Sequence, residues 1–324
     1  MSEINEIKAF IGSELKTFES YFKNAVKTKV ALLDIVTNYI IRRKGKQIRP
    51  MLVFLSAKLN GQINESTYVA ATLIELLHTA SLVHDDVVDD AEKRRGFFSV
   101  NALWKSKVAV LTGDYFLSKG LLTAIQNKEY ELLEIVSDAV KQMAEGELIQ
   151  IEKSGKLNIT EEVYFDIITK KTASLIASCT ATGAKSAGAN PETVEDLKLF
   201  GKYAGIAFQI KDDLFDYEKT NMTGKPTGND IKEKKMTLPL IYALNHCEHF
   251  ERRKILHIIS QSKKSHDKVV EVVDFVKSKG GLDYSENKMN EFKQMALDML
   301  QKHPDSPAKT NLTALVNYIA VRNI

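Results

Sequence analysis

The chain has 324 residues, of which 44% are hydrophobic and 27% are charged, so it has enough apolar side chains for a sizeable core. Its 45 Lys and Arg against 42 Asp and Glu leave a net charge of +3, a balance too even to indicate nucleic acid as a partner. Its two cysteines, Cys179 and Cys247, are far apart, which argues against a disulfide framework or a thiolate metal site and favours a reducing compartment.

The N-terminal segment MSEINEIKAF lacks the basic start and the apolar run of a signal peptide. We also find no stretch that approaches the roughly 18 apolar residues of a membrane span, and we therefore expect no transmembrane segment. The sequence predicts a cytoplasmic protein.

Apolar residues repeat at spacings of three and four along most of the chain, which is the period of an α-helix. In chain order, this pattern predicts helices over 66–91, 108–126, 130–152, 161–182, 192–217, 267–279, 284–302 and 308–321. Glycine and proline interrupt the pattern only briefly, so no interdomain linker is evident. No run alternates apolar and polar residues as a strand does. We therefore predict an all-α fold with residues 1–324 in a single domain.

The predicted helix over 66–91 ends in four aspartates, within the segment HDDVVDDAEKRRG. Asp85 and Asp89 are one helical turn apart, and Asp86 and Asp90 form a second pair at the same spacing. Like charges at this spacing destabilise an exposed helix by roughly a few tenths of a kcal/mol per pair, and by more beside an apolar segment. We infer that these carboxylates hold a cation, although one acidic run alone could equally be a solvated helix face.

A second acidic cluster ends the predicted helix over 192–217, where FQIKDDLFDYEK contains Asp212, Asp213 and Asp216, with Gln209 one turn earlier. Two copies of the pattern DDxxD, each at the end of an apolar helix, make a merely solvated face a poor explanation. The possible ligands are all oxygens, which indicates Mg²⁺ or Mn²⁺ rather than zinc. Because Mg²⁺ prefers few protein carboxylates plus phosphate oxygens, two facing clusters would make a diphosphate site.

Basic residues accompany both acidic clusters and could neutralise the remaining charge of a diphosphate. They are Lys46 and Arg49 around the GKQIRP segment, Arg94 and Arg95, Lys170 and Lys171 before Thr172, and Lys225, Lys234 and Lys235. Taken singly, each is more often a solvated surface charge. His78 lies two turns before Asp85, and on its own it is more often a satisfied core histidine.

Together these motifs resemble the trans-isoprenyl diphosphate synthase family over about residues 40 to 240. The family patterns GKxxRP, DDxxDxxxxRRG, KTAxL, FQxxDDxxD and the downstream GKPTGND and KMTLP segments have matches here in the same order. The resemblance implies a helical bundle around a central cavity, of the isoprenoid synthase type, and a homodimer. The chain departs from the family at Lys234, where a glycine is frequent, and at Phe97 and Phe98, where Gly-Lys-Pro-like sequence is usual.

The resemblance also assigns roles to individual residues. Asp85 and Asp89 would hold two Mg²⁺ ions and Asp212 a third, and Asp86, Asp213 and Asp216 complete the implied metal set. The allylic diphosphate would contact Arg94, Lys171, Lys225 and Lys235. Isopentenyl diphosphate would contact Lys46, Arg49, His78 and Arg95. Thr172 and Gln209 would face the developing carbocation. The implied catalytic residues are Asp85, Asp89, Lys171, Thr172, Gln209 and Asp212.

The implied activity is head-to-tail condensation of isopentenyl diphosphate with an allylic diphosphate, farnesyl or geranylgeranyl diphosphate. The small residues Ala80 and Ser81 lie one turn before the first aspartates, with Leu77 farther along the helix. In the family, bulky aromatics at these positions resemble a floor that stops growth at farnesyl length. We therefore expect a hexaprenyl to octaprenyl product, which is apolar enough to bring a cytoplasmic enzyme to a membrane surface.

Three alternatives stay open at this point. A terpene cyclase shares the fold and the metal chemistry but has no use for the basic residues Lys46, Arg49 and Arg95. For a short-chain farnesyl or geranylgeranyl diphosphate synthase, only the small residues Ala80 and Ser81 argue against it. A non-catalytic subunit of a two-component synthase would have eroded aspartates, whereas both clusters are intact here.

Overall fold

The computed structural model describes residues 3–43, 45–94, 96–154, 157–217, 228–261 and 264–321. These ranges contain sixteen α-helices, one π-helical turn and one pair of very short strands. The helices are α1 Glu3–Phe10, α2 Gly12–Ala25, α3 Ala31–Ile41, α4 Ile48–Asn60, α5 Glu65–Val88, α6 Val100–Gln126, α7 Tyr130–Ser154, α8 Glu161–Ile168, α9 Ser174–Ser186, α10 Pro191–Phe215, α11 Asn229–Lys232, α12 Leu238–Asn245, α13 His249–Ser260, α14 His266–Ser278, α15 Gly281–Gln301 and α16 Pro307–Val321. The π-helical turn is Thr169–Ala173, and strands β1 Lys93–Arg94 and β2 Phe97–Phe98 pair antiparallel.

The predicted all-α class is confirmed, and the helices predicted from periodicity are present with shifted ends, except that the predicted helix over 161–182 is divided into α8, the π-helical turn and α9. Helices α1–α4 and α11–α13 were not predicted. In α4 the residues from Pro50 to Ala57 are all buried, so this helix has no polar face to reveal its period. The expectation of no strand was wrong for the β1–β2 hairpin, whose two-residue strands are too short to show alternation.

The described residues group into two compact units. The first unit comprises residues 1–140, 178–198 and 303–312. Its central helix α5 begins with a capping box, in which the Asn64 side chain accepts from the Thr67 backbone N–H, and it packs against α4 and α6. The contact with α6 is close because a Cβ on Gly120 would lie 3.1 Å from the Leu77 side chain.

The second unit comprises residues 141–177, 199–302 and 313–324. Its hydrophobic core joins the π-helical turn and α8 to α10, α12, α13 and α14, and it includes Ile210, Leu240 and Val272, none of which is exposed. The prediction of one domain over residues 1–324 stays a prediction.

The expectation that no stretch approaches a membrane span was wrong in terms of length and composition. Among the described residues, α5 and α6 are both long and apolar enough to cross a bilayer. Of the 18 residues in the apolar stretch of α5, 67% are buried within the structure, as in the core helix of a globular fold. In the corresponding stretch of α6, 33% of the residues are buried. Helix α6 therefore carries an apolar face that its own chain leaves largely uncovered.

Candidate active site

The first aspartate cluster lies at the C-terminal end of α5, in the first unit. The backbone N–H of Asp89 donates to the Asp85 carbonyl at 2.8 Å, so these two residues are one turn apart, as predicted. The predicted second pair was wrong: α5 ends at Val88, and Asp90 adopts a left-handed φ of 47° that takes it off the helix. The Asp90 carboxylate instead accepts from the Asn101 side-chain amide at 3.3 Å.

Asp86 faces inward from the same turn and is paired with Arg94. Asp86 is only 3% exposed, and its Oδ1 lies 2.6 Å from the Arg94 Nε in strand β1. Burial raises the pKa of Asp86, and the Arg94 guanidinium partly offsets that rise. Two residues that the sequence assigned to a metal and to a diphosphate are thus bonded to each other, and this ion pair ties the β1–β2 hairpin to α5. Arg95 lies outside the described residues.

Beside this cluster, the first unit contains a pocket that opens to solvent, and we call it the α5 pocket. Its apolar lining residues include Phe18, Phe22, Ile40, Leu82, Val83 and Val100. Its charged and titratable lining residues are the basic Lys23, Arg43, His78 and Arg94 and the acidic Glu19, Glu75 and Asp86, and Gly45 and Gln47 also line it. A pocket with apolar and basic lining residues suits a small amphiphilic anion.

Of the four residues predicted to bind isopentenyl diphosphate, His78 lines this pocket and Lys46 is next to it along the chain. His78 is 7% exposed and lines it. Lys46 is exposed and lies between two lining residues, Gly45 and Gln47. Arg49 is half-buried in the first turn of α4, which follows directly after the left-handed Gln47 at φ 59°.

The second aspartate cluster lies at the end of α10, in the second unit, and its three carboxylates have different surroundings. Asp212 is exposed, whereas Asp213 is 6% exposed. The Tyr164 hydroxyl donates to Asp213 at 2.7 Å, and the Gln209 amide donates to its other oxygen at 2.8 Å. Burial and the nearby Asp230 raise the pKa of Asp213 to about 8, although both hydrogen bonds act against that rise.

The hydrogen bonds continue to the π-helical turn, where the Thr172 hydroxyl donates to the Gln209 carbonyl oxygen at 2.8 Å. The structure thus connects Thr172, Gln209, Asp213 and Tyr164 in one chain of contacts. Tyr164 was missed by sequence reasoning, and no local signal marks it, because its partner Asp213 is 49 residues away.

Asp216 lies just beyond α10, although the predicted helix over 192–217 includes it, because α10 ends at Phe215. Its two carboxylate oxygens accept the backbone N–H groups of Asn229 at 2.8 Å and Asp230 at 2.9 Å. These bonds anchor the start of α11 against the end of α10. The role of Asp216 as a metal ligand stays a prediction.

The predicted basic residues of the second unit lie beside acidic side chains. Lys171 in the π-helical turn is 2.5 Å from Glu147 and donates to Gln150 at 3.2 Å. Lys235 is 2.6 Å from Glu233 and 3.6 Å from Asp230. Lys225 lies outside the described residues.

The π-helical turn is held between two helices that approach it through glycine. A Cβ on Gly146 of α7 would lie 2.9 Å from the Lys171 backbone nitrogen. A Cβ on Gly205 of α10 would lie 2.6 Å from the Ala173 Cα. Isolated π turns inside helices often occur at functional sites, and this one presents Lys171 and Thr172.

The donor set fits a magnesium ion that shares its coordination with a substrate. Among the described residues, no three acidic, histidine or cysteine side chains converge to hold a metal by themselves. In the first unit, Asp85 is half-buried and Asp89 is exposed, so both carboxylates are accessible to a ligand. In the second unit, Asp212 is exposed as well. Mg²⁺ is usually bound through one or two carboxylates plus waters and phosphate oxygens, so each cluster by itself offers the kind of ligands that this ion takes.

The residues predicted to set product length lie one to two turns before the aspartates of α5. Leu77 and Ala80 are each 3% exposed, and Ser81 is half-buried. Ala80 belongs to a buried cluster with Val26, Leu76 and Phe116. The small side chain of Ala80 therefore packs in the same cluster as the large aromatic ring of Phe116 from α6.

Comparisons with known proteins agree with the family resemblance of these motifs. The polyprenyl synthetase family profile matches residues 30–276. Octaprenyl diphosphate synthase of Escherichia coli (strain K12) is 33% identical over 323 residues, covering 99% of this chain and 98% of the relative.

Two solved structures cover almost the whole chain. A decaprenyl diphosphate synthase from Rhodobacter capsulatus has a TM-score of 0.93 at 30% identity and covers 99% of this chain and 100% of its own. A geranylgeranyl pyrophosphate synthase from Bacteroides thetaiotaomicron has a TM-score of 0.85 at 40% identity, with 99% of both chains covered. The family resemblance that the motifs indicated is thereby confirmed, and the chain belongs to the polyprenyl synthetase family.

Proposed function

We propose that this protein is a trans-polyprenyl diphosphate synthase, which condenses isopentenyl diphosphate head-to-tail with an allylic diphosphate. The observation that carries the proposal is the α5 pocket beside the first aspartate cluster, which is lined both by apolar side chains and by the polar residues His78 and Arg94. Family membership supports the same reaction class.

Isopentenyl diphosphate would occupy the α5 pocket. Its five-carbon group suits the apolar lining residues Phe18, Phe22 and Leu82, and its diphosphate suits the lining residue His78. Lys46 and Arg49 are the further cations that we assign to this diphosphate, because Lys46 lies between the lining residues Gly45 and Gln47 and Arg49 follows two residues after Gln47.

Asp85, Asp89 and Asp212 would hold Mg²⁺, or Mn²⁺ in its place, with about three ions per active site shared with the allylic diphosphate. When bound, these ions neutralise the charge that builds on the departing diphosphate. Lys171 and Lys235 would contact the same leaving group. Their present partners Glu147 and Glu233 hold the two ammonium groups at defined positions in the absence of substrate.

The oxygens of Thr172 and Gln209 would stabilise the allylic cation. The hydrogen bond between them and the bond from Gln209 to buried Asp213 fix the orientation of both side chains before the reaction begins. The released diphosphate would accept the proton that is lost at the end, so no side-chain base is required. Water must be excluded from the site during the reaction, because it would otherwise quench the cation.

For the product we propose hexaprenyl to octaprenyl length. The small residues Ala80 and Ser81 and the similarity to an octaprenyl diphosphate synthase support a long product. The 40% identity to a protein described as a geranylgeranyl pyrophosphate synthase favours a shorter one as the second candidate. The primer would be farnesyl or geranylgeranyl diphosphate.

We also propose that the protein acts as a cytoplasmic homodimer. Exposed apolar side chains recur along α6, namely Leu103, Val110, Leu111, Leu121, Leu122 and Ile125. Monomers rarely expose so many large apolar residues along one helix, and a second copy of the same face would cover them.

The test is turnover of labelled isopentenyl diphosphate by the purified protein with farnesyl diphosphate and Mg²⁺, followed by product sizing. We expect a single long-chain product series and complete loss of turnover with a chelator, restored by added Mg²⁺. A protein that does not consume isopentenyl diphosphate under these conditions would refute the proposal.

Asp85→Ala and Asp212→Ala should each lower kcat by roughly a hundredfold or more, because each removes charge stabilisation at the leaving group. Asp298→Ala is the matched control, since Asp298 is an exposed helical aspartate outside the motifs. All three variants should keep the circular dichroism spectrum and melting temperature of the parent. Near-parental turnover in either motif variant would contradict the metal assignment.

A further inference from the structure

The guanidinium group of Arg43 lies between two aromatic rings at the wall of the α5 pocket. Its Cζ is 3.1 Å from the centroid of the Tyr39 ring and 4.5 Å from the centroid of the Phe97 ring. Arg43 is half-buried and lines the pocket together with Tyr39, in the connection between α3 and α4. Contact with two ring faces stabilises a cation here and fixes the plane of the guanidinium group.

One nitrogen of this group lacks an acceptor. The Nη1 of Arg43 is buried and has no hydrogen-bond partner within the described part of the chain. Aromatic faces attract the positive charge but leave the N–H groups in the guanidinium plane without acceptors. A buried, charged N–H donor without an acceptor is unfavourable. Because Arg43 lines the pocket, its guanidinium group would gain from a ligand there that brings anionic oxygens within its reach.

The two rings are themselves held in place. The Tyr39 hydroxyl donates to the Phe98 carbonyl at 2.6 Å, and the Tyr39 ring meets Trp104 edge-on at 5.0 Å between centroids. Phe97 pairs with Arg94 across the β1–β2 hairpin. The hairpin is in turn bonded to α5 through Arg94 and Asp86. Arg43 is therefore pre-oriented, which reduces the side-chain entropy lost when an anion binds.

We propose that Arg43 is an additional diphosphate-binding residue of the α5 pocket, with Tyr39 and Phe97 as its positioning residues. The ligand is the diphosphate of isopentenyl diphosphate, because the same pocket is lined by His78 and by the residues on either side of Lys46. This inference rests on the proposed function. Arg43 belongs to none of the matched motifs, and Phe97 stands at a position where the chain departs from the family pattern.

The test separates binding of the two substrates by steady-state kinetics. Arg43→Met removes the charge, Arg43→Lys keeps the charge but loses the planar fork, and Phe97→Leu removes one ring. Arg42→Met is the matched control, because Arg42 is the exposed neighbour of Arg43. KM for isopentenyl diphosphate is measured at saturating farnesyl diphosphate, and KM for farnesyl diphosphate at saturating isopentenyl diphosphate.

We expect Arg43→Met to raise KM for isopentenyl diphosphate by about tenfold or more, the loss typical of a hydrogen bond to a charged group. Arg43→Lys and Phe97→Leu should raise it by a smaller factor. KM for farnesyl diphosphate should stay within about twofold in every variant, and Arg42→Met should match the parent.

An unchanged KM for isopentenyl diphosphate in a folded Arg43→Met variant overturns the inference, and so does a rise confined to farnesyl diphosphate. A fall in kcat without a KM effect overturns it as well. If Arg43→Met does not fold, the inference is overturned when both Arg43→Lys and Phe97→Leu keep the parental KM for isopentenyl diphosphate. These outcomes leave the proposed function intact, whereas a parent protein that does not consume isopentenyl diphosphate contradicts the proposed function itself.

Discussion

Asp212 and Asp213 are adjacent in one motif, yet their side chains have opposite surroundings. Successive residues of an α-helix are about 100° apart around its axis, so one carboxylate is exposed while the other points into the core. Asp213 is bonded to Tyr164 and Gln209 and therefore orients a side chain that we assign to the reacting cation. Of these two carboxylates, Asp212 is the exposed one, and it is the one that we assign to the metal ion. Two adjacent aspartates of the same motif are thus assigned two different roles.

At the residue scale, we predict that the product length depends on the space around Ala80. Ala80→Phe adds a ring to a cluster that already holds Phe116, so we expect the longest products to disappear and shorter ones to accumulate. Thin-layer or liquid chromatography of dephosphorylated products measures the shift.

Ala296→Phe controls for overpacking, because Ala296 is a buried alanine of α15 outside every motif. It should lower the melting temperature without shortening the product. If Ala80→Phe does not fold, Ser81→Phe at the half-buried neighbouring position tests the same prediction. Parental product lengths in both folded variants would count against the proposed route of the growing chain.

At the scale of the elements, the π-helical turn depends on close approach by α7 and α10. The extra residue in the turn changes the direction in which Lys171 and Thr172 project compared with an uninterrupted α-helix. Gly146 and Gly205 allow the neighbouring helices to contact the backbone of the turn itself. Each of these two helices gives up some intrinsic stability at its glycine, and the close contact compensates for it.

Gly205→Ala tests this arrangement. The new methyl group would lie 2.6 Å from the Ala173 Cα, so backbone must move, and we expect a loss of about 1–3 kcal/mol in the free energy of unfolding. We also expect a lower kcat, because Thr172 and Gln209 would no longer hold their mutual orientation. Urea unfolding and steady-state kinetics measure the two effects.

Gly12→Ala is the matched control, since a Cβ there meets nothing within 4 Å. It should leave kcat unchanged and stability equal or slightly higher, as expected for alanine in a helix. If Gly205→Ala behaves in the same way as Gly12→Ala, the π-helical turn does not depend on this contact.

At the scale of the whole molecule, α6 gives the strongest indication of self-association. Leu111 is 60% exposed and Leu122 is 47% exposed, and they lie about three turns apart on the same side of the helix. Light scattering after size exclusion should give about twice the chain mass of 36.4 kDa. The double variant Leu111→Lys and Leu122→Lys should shift the protein to the monomer, because two charges would have to be buried at the contact.

Phe250→Lys provides the comparison, since Phe250 is even more exposed, at 77%, but lies on α13. It should keep the mass of the parent. A parent protein that is monomeric at micromolar concentration would contradict the dimer, and so would a Leu111 and Leu122 double variant that keeps the dimer mass.

The sequence by itself determined the helical class, most helix positions and both aspartate clusters, because these depend on periodicity and on residues less than two turns apart. Tertiary structure alone decided which groups meet: Tyr164 with Asp213, Asp86 with Arg94, and Arg43 with Tyr39 and Phe97. It also decided that Asp90 leaves the helix and that Asp216 anchors α11. The physical reason is that such contacts follow from how helices pack and where their backbones end, which a local pattern does not encode.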